Sequence, residues 1–186
     1  MPDVAVERAL AALEKPGAGY VVIVEISDNP GAGAPGTGTH LLREILRRDL
    51  PKTIFGFISD PEIALLAHEV GVGGVVSGLL GGKTDKIHGA PIELHNARVC
   101  ALSDGNATYV SPMMEGLPVC YGKTARLCIG NVDIIVTEYA SGEGRLAGAW
   151  PGSEAALLRS SLRAKLAAQH EPYDVIDRAG AAASLE

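Results

Sequence analysis

Apolar positions along this chain follow a helical spacing in some stretches and an extended one in others, and the switches between them mark its elements. Between Asp3 and Lys15, Val6, Leu10 and Leu13 share one face; Asp3 can cap that helix and Pro16-Gly17 stops it. Tyr20 to Ile26 is a continuous β-branched run, which predicts a strand covered on both sides. Leu41, Leu42, Ile45 and Leu46 form the apolar stripe of a second helix, with Arg43, Arg47 and Arg48 facing water, Thr39 as its expected N-cap and Pro51 as its end. Thr53 to Ser59 reads as a second strand. Asp60-Pro61 opens a third helix, with Asp60 as cap and Pro61 at the first position, running to about Val70 and ending at Gly71. Val72 to Leu80 completes the series as a third strand.

The order β-α-β-α-β predicts an α/β fold whose first half is a parallel unit with right-handed crossovers. Beyond Gly81 the spacing shortens. Ile92 to Leu102, Thr108 to Pro112, Val119 to Tyr121, Ala125 to Ile129 and Val132 to Thr137 are short strands, separated by Asp104-Gly105-Asn106 and Gly130-Asn131 turns. A mainly antiparallel section is therefore expected, followed by a C-terminal helix from Ser153 to Gln169. Residues 1–180 read as one α/β domain and 181–186 as a tail or cloning scar.

Composition narrows the function classes. The chain has 186 residues, 47% of them apolar and 20% charged, which is a globular balance. A net charge of −6 argues against nucleic acid. No apolar stretch is long enough to span a membrane, and no basic-then-apolar leader opens the chain, so a cytoplasmic location is expected. Cys100, Cys120 and Cys128 form no C-x-x-C pair, and reduced, buried thiols are the favoured reading.

The most distinctive stretch is Ser27 to Thr39, with four glycines and two prolines between Pro30 and Gly38. Glycine lets a backbone lie close to another molecule, and a loop that enters a helix N-terminus can present free N–H groups to an anion or polar ligand. Gly31-Ala32-Gly33-Ala34-Pro35-Gly36 spells a dinucleotide fingerprint. Asp28-Asn29-Pro30, however, separates it from the strand, and Asp60 comes later than the ribose-binding distance and already serves as a helix cap. Gly82-Lys83-Thr84 and Gly122-Lys123-Thr124 suggest phosphate loops but lack the upstream glycine. Lys83 is the more interesting lysine, because it ends a strand where α/β sheets bind ligands. His40, His68, His88, His95 and His170 are scattered, and surface or core roles fit each better than metal ligation. No complete catalytic set is visible.

Asp28-Asn29-Pro30-Gly31-x-Gly33-Ala34-Pro35-Gly36-x-Gly38-Thr39, Asp60-Pro61, Gly71-Val72-Gly73 and Gly81-Gly82-Lys83 together resemble the C-terminal domain of the MlrC (microcystinase C) family of zinc metallopeptidases. Gly89-x-Pro91, Asp104-Gly105, Pro112-Met113 with Gly116, and Gly122-x-Thr124-Ala125 extend the likeness over about residues 4 to 140. Thr37 replaces the family's usual Asp and Ser111 its usual Gly, and the match fades after Thr137.

The resemblance implies a two-part enzyme. Zinc is expected in the full-length protein, on Asp and His ligands of a preceding N-terminal domain, with none bound by this chain. The chain starts where such a second domain would start. Asp28, Asn29, Gly31, Gly33, Gly36, Thr39 and Lys83 are the expected substrate-binding residues, and a peptide or small amide is the expected substrate. For Asp28 and Asn29, an Asx-turn that only shapes the loop is the alternative. The competing function is a stand-alone small-molecule or anion-binding α/β domain, and the bare domain is a candidate for homo-oligomerisation.

Overall fold

A computed structural model describes residues 2–17, 19–110, 112, 114–140 and 173–177. In chain order these form helix α1 (Pro2–Leu13), strand β1 (Val21–Glu25), a 3-10 turn (Pro30–Ala32), α2 (His40–Arg48), β2 (Thr53–Ser59), α3 (Pro61–Val70) and β3 (Val75–Leu80). Six strands follow: β4 (Ile92–Ser103), β5 (Asn106–Thr108), β6 (Pro118–Cys120), β7 (Thr124–Ile129), β8 (Val132–Thr137) and β9 (Tyr173–Asp177). The α/β class expected from the sequence holds. The C-terminal helix expected over 153–169 and the tail at 181–186 lie outside the described residues.

Strand pairing departs from the expected parallel β-α-β-α-β unit. Among the described residues the main sheet runs β2-β8-β7-β4-β3, and β2 with β8 is its parallel pair. β3 lies antiparallel to β4, β4 to β7, and β7 to β8. β1 pairs instead with β9, antiparallel. The physical reason is burial. Ala125 and Leu127 of β7 and Val132, Ile134 and Val136 of β8 are completely buried, so these strands take the centre. β2 and β3 become the edges and leave Ile54 and Leu79 exposed. Spacing along the chain shows that β1, β2 and β3 exist, but it cannot show that β8 inserts beside β2.

β1 is also less enclosed than its apolar run suggests, since Val22 and Val24 of its outer face are exposed. α1 packs against β1, β9 and α2. α3 lies over the main sheet, with Ile63, Ala64 and Ala67 buried in a core that includes Ile58, Val76, Leu80, Leu94, Val99 and Leu127. Asp60 caps α3 as expected: its carboxylate accepts the Ile63 N–H at 3.2 Å, with Pro61 in the first turn.

The cysteine reading needs correction. Cys100 on β4 and Cys128 on β7 are joined as a disulfide with their Cα atoms 6.1 Å apart, and Cys120 is the free cysteine. Adjacent antiparallel strands bring together two residues that are 28 apart in sequence, a proximity that their spacing does not reveal. No helix among the described residues is long and apolar enough to cross a membrane.

Candidate functional site

Two glycine-rich segments meet at one end of the fold: residues 27–39, between β1 and α2, and residues 81–91, between β3 and β4. Each expected site residue lies in one of them. Asp28 is almost fully buried, and its carboxylate accepts the backbone N–H of Gly36 at 2.9 Å and that of Gly38. The loop therefore folds around an anion of its own. A side chain at Gly38 would come within 2.8 Å of that carboxylate, and one at Gly36 (φ +69°) within 2.6 Å of Pro30 Cγ. Glycine is required at both positions.

Asn29 starts the 3-10 turn, its Oδ1 accepting the Gly31 N–H at 3.0 Å. This is the turn-shaping geometry that the sequence left open as an alternative. Gly33 ends the turn at φ 86°, its N–H donating to Pro30 O. The Ser59 N–H then donates to Gly36 O at 2.7 Å, which fastens the loop to the end of β2. Gly31 is exposed, and a Cβ there would meet only Asn29 Oδ1, at 3.3 Å.

Thr39 occupies the N-cap position of α2, but its side chain makes no cap hydrogen bond. Its hydroxyl donates to Ala90 O at 2.7 Å instead, and its N–H donates to His88 O at 2.9 Å. The pull of the second segment outweighs capping. The Gly82 N–H donates to Thr37 O at 2.7 Å, and Arg43 reaches Ala90 O and Pro91 O. The two segments thus form one knitted unit.

Lys83 follows β3 in the second segment, its Nζ 2.9 Å from Asp60 and 2.7 Å from Glu62. Partial burial pulls the ammonium pKa down, yet the hydrogen bonds to Glu62 and Asp60 leave it raised, while Glu62 is held below its ordinary value by Lys83. Asp60 also accepts the Gly81 N–H at 2.8 Å. One carboxylate thereby joins the start of α3 to the end of β3.

Sequence reasoning missed Glu25, Asp85 and His88, which gather beside Asp28. His88 Nδ1 lies 2.7 Å from Asp85 Oδ2. Backbone and side-chain hydrogen bonds from His88, with the Ile87 N–H, hold Asp85 down to about 2. Glu25 accepts from Ser27 Oγ at 2.8 Å, and burial raises its pKa. The available signal was Asp85-x-x-His88 inside a glycine-rich connection.

Asp28, Asn29, Pro30, Gly36 and Gly38 form one wall of a cleft of about 1050 Å³ whose other walls are apolar side chains of α1, β1, α2 and β2. The loop is therefore not sealed beneath its own sheet. For a metal the fit is poor: no group of three His, Cys, Asp or Glu side chains among the described residues could hold an ion. The carboxylates of Asp28 and Asp60 already accept N–H groups.

Residues 23–143 match the family described as MlrC C-terminus. Microcystinase C of a Sphingomonas species is 33% identical over 136 residues, which cover 71% of this chain and 26% of that protein. The crystal structure of a candidate metallopeptidase from Mesorhizobium sp. BNC1 is similar with a TM-score of 0.52 and 28% identity, covering 57% of this chain and 21% of that one. The chain spans about a quarter of the curated relative's length.

Proposed function

This chain belongs to the MlrC C-terminal family, and from that premise we propose that it is the C-terminal domain of a metal-dependent peptidase or amidohydrolase. In that reading the metal, zinc by expectation, is held by an N-terminal part of the same enzyme. Its chemistry would be to polarise an amide and activate water. This chain's own residues bind and orient. The exposed backbone at Gly31, with the half-buried turn end at Gly33, meets a peptide or small amide, while Asp28, Asn29, Gly36 and Thr39 hold the loop in shape. Lys83 would offer an N–H to the substrate by giving up one of its contacts with the two Asp60 oxygens and Glu62. Lys83, Asp60 and Glu62 together carry one net negative charge, so a neutral carbonyl suits that position better than a carboxylate.

The observation that carries the reading is a glycine loop whose polar interior is satisfied by Asp28 while Asn29, Pro30, Gly36 and Gly38 border a cleft. The same observation weakens the stand-alone anion-binding alternative, because the Gly36 and Gly38 N–H groups already serve Asp28. Gly31→Val in the full-length enzyme tests the proposal, since a side chain there would meet only Asn29 Oδ1, at 3.3 Å, and would otherwise project from the exposed backbone that a ligand would approach. Turnover of a linear peptide should fall towards the ~100-fold associated with misplacement of a substrate by about 1 Å, with thermal stability little changed. Unaltered kcat/KM would leave the loop as scaffold only.

A further inference from the structure

His88 sits at the seam of the two segments, and among the described residues the polar atoms facing its ring nitrogens are all acceptors. Nδ1 faces Asp85 Oδ2 at 2.7 Å, while Nε2 faces the Ser27 carbonyl at 3.3 Å and Asp28 Oδ1 at 3.8 Å. A neutral imidazole carries one N–H and one lone pair, so it would turn a lone pair towards one of these oxygens. Only the imidazolium donates on both sides. The side chain is 17% exposed, which limits how far water can substitute for either partner. The backbone of the same residue accepts the Thr39 N–H.

We propose that His88 is a positioning residue that, as an imidazolium, clamps residues 81–91 onto the 27–39 loop and releases them when it loses its proton. The clamp joins Asp85 on one segment to Ser27 and Asp28 on the other. Charged and titratable groups surround it: Asp85 from its own segment, Glu25 from the end of β1 and Asp28 from the loop beyond it, while His40 from the start of α2 faces Glu25 and the backbone of the same segment. His40 Nε2 lies 3.1 Å from Ile87 O, so it steadies the same segment through the backbone. Burial pulls the His88 pKa down, but the hydrogen bond to Asp85, the charges of Asp28 and Asp85, and the Ser27 carbonyl outweigh it and leave the value raised. Such a raised histidine adds stability fully below its unfolded value, and the contribution is lost as pH rises through the folded value. The clamp therefore holds below the ordinary histidine value and loosens as pH rises through the raised folded value.

This inference does not depend on the proposed catalytic role, because its readouts do not measure activity. Ring NMR of His88 in the full chain should show a titration midpoint above the ordinary ~6.5, with both ring nitrogens protonated at pH 6. The His88→Gln variant should melt about 2–4 °C lower than the parent at pH 6, and the gap should close as pH passes the NMR midpoint. A midpoint at or below the ordinary value overturns the clamp, and that measurement on the parent chain stands even where the variant folds poorly. A gap that stays constant from pH 5.5 to 8.5 overturns it as well, because a purely steric contribution would not titrate.

Discussion

The Asp28 carboxylate and the Gly36 N–H meet at 2.9 Å, both buried, across eight residues of a glycine-rich loop. Together with the Gly38 N–H this gives the loop an internal counter-charge, so its shape does not depend on a bound ligand. A backbone otherwise too rich in glycine to hold one conformation is fixed by a single side chain.

Asp28→Ala should therefore destabilise the fold by about 2–3 kcal/mol, the scale of leaving buried donors without acceptors. Asp28→Asn keeps one carbonyl acceptor and should cost less. Urea unfolding of the two variants measures the difference. Equal, small effects would show that the loop is held by its other ties to Ser59 and Gly82.

Two positive-φ glycines separate backbone strain from close packing. At Gly116 (φ +81°) a Cβ would meet nothing within 4 Å, so Gly116→Ala should cost only the left-handed penalty of about 1–2 kcal/mol. At Gly89 (φ +101°) a Cβ would overlap Thr39 Oγ1, the atom that ties the two segments together through Ala90. Gly89→Ala should cost clearly more and should weaken the α2 junction selectively, read as faster amide exchange at Thr39 and Arg43. Similar losses at both positions would refute the packing argument.

Glu25 provides a test with a definite sign. Burial raises its pKa, so the folded chain holds that proton more tightly than the unfolded chain does. The favourable contribution is present below the ordinary value and is lost as pH rises through the raised folded value. Glu25→Gln removes the cost of burying the charge and keeps an acceptor for Ser27 Oγ. It should raise Tm at pH 7 and leave it nearly unchanged near pH 4. A variant that is less stable at pH 7 would mean that the carboxylate is needed there as an anion.

The candidate site was legible in the sequence as a place more than as a mechanism. Asp28, Asn29 and the glycines stood out because few other folding demands call for so much glycine between a strand and a helix. Their partners did not stand out. His88 and Asp85 lie some sixty residues away, and nothing in local spacing couples them to Ser27. Thr39 had the chemistry of a cap, yet Ala90 claimed its hydroxyl, since a contact made across the fold can override a local preference.

Local sequence determined the bounds of some elements. β5 spans Asn106–Thr108 where a turn at Asn106 and a strand from Thr108 were expected, whereas β8 occupies Val132–Thr137, as its alternation and flanking turns predict, and Asp60-Pro61 starts α3. Those outcomes depend on residues a few positions apart, whose steric and hydrogen-bonding preferences act without the rest of the fold. The tertiary structure alone decided that β8 lies between β2 and β7, that Cys100 meets Cys128, and that Lys83 is anchored by two carboxylates. Each of these depends on the burial of apolar surface and the satisfaction of polar groups across the whole domain, and neither has a signature in any short window of the chain.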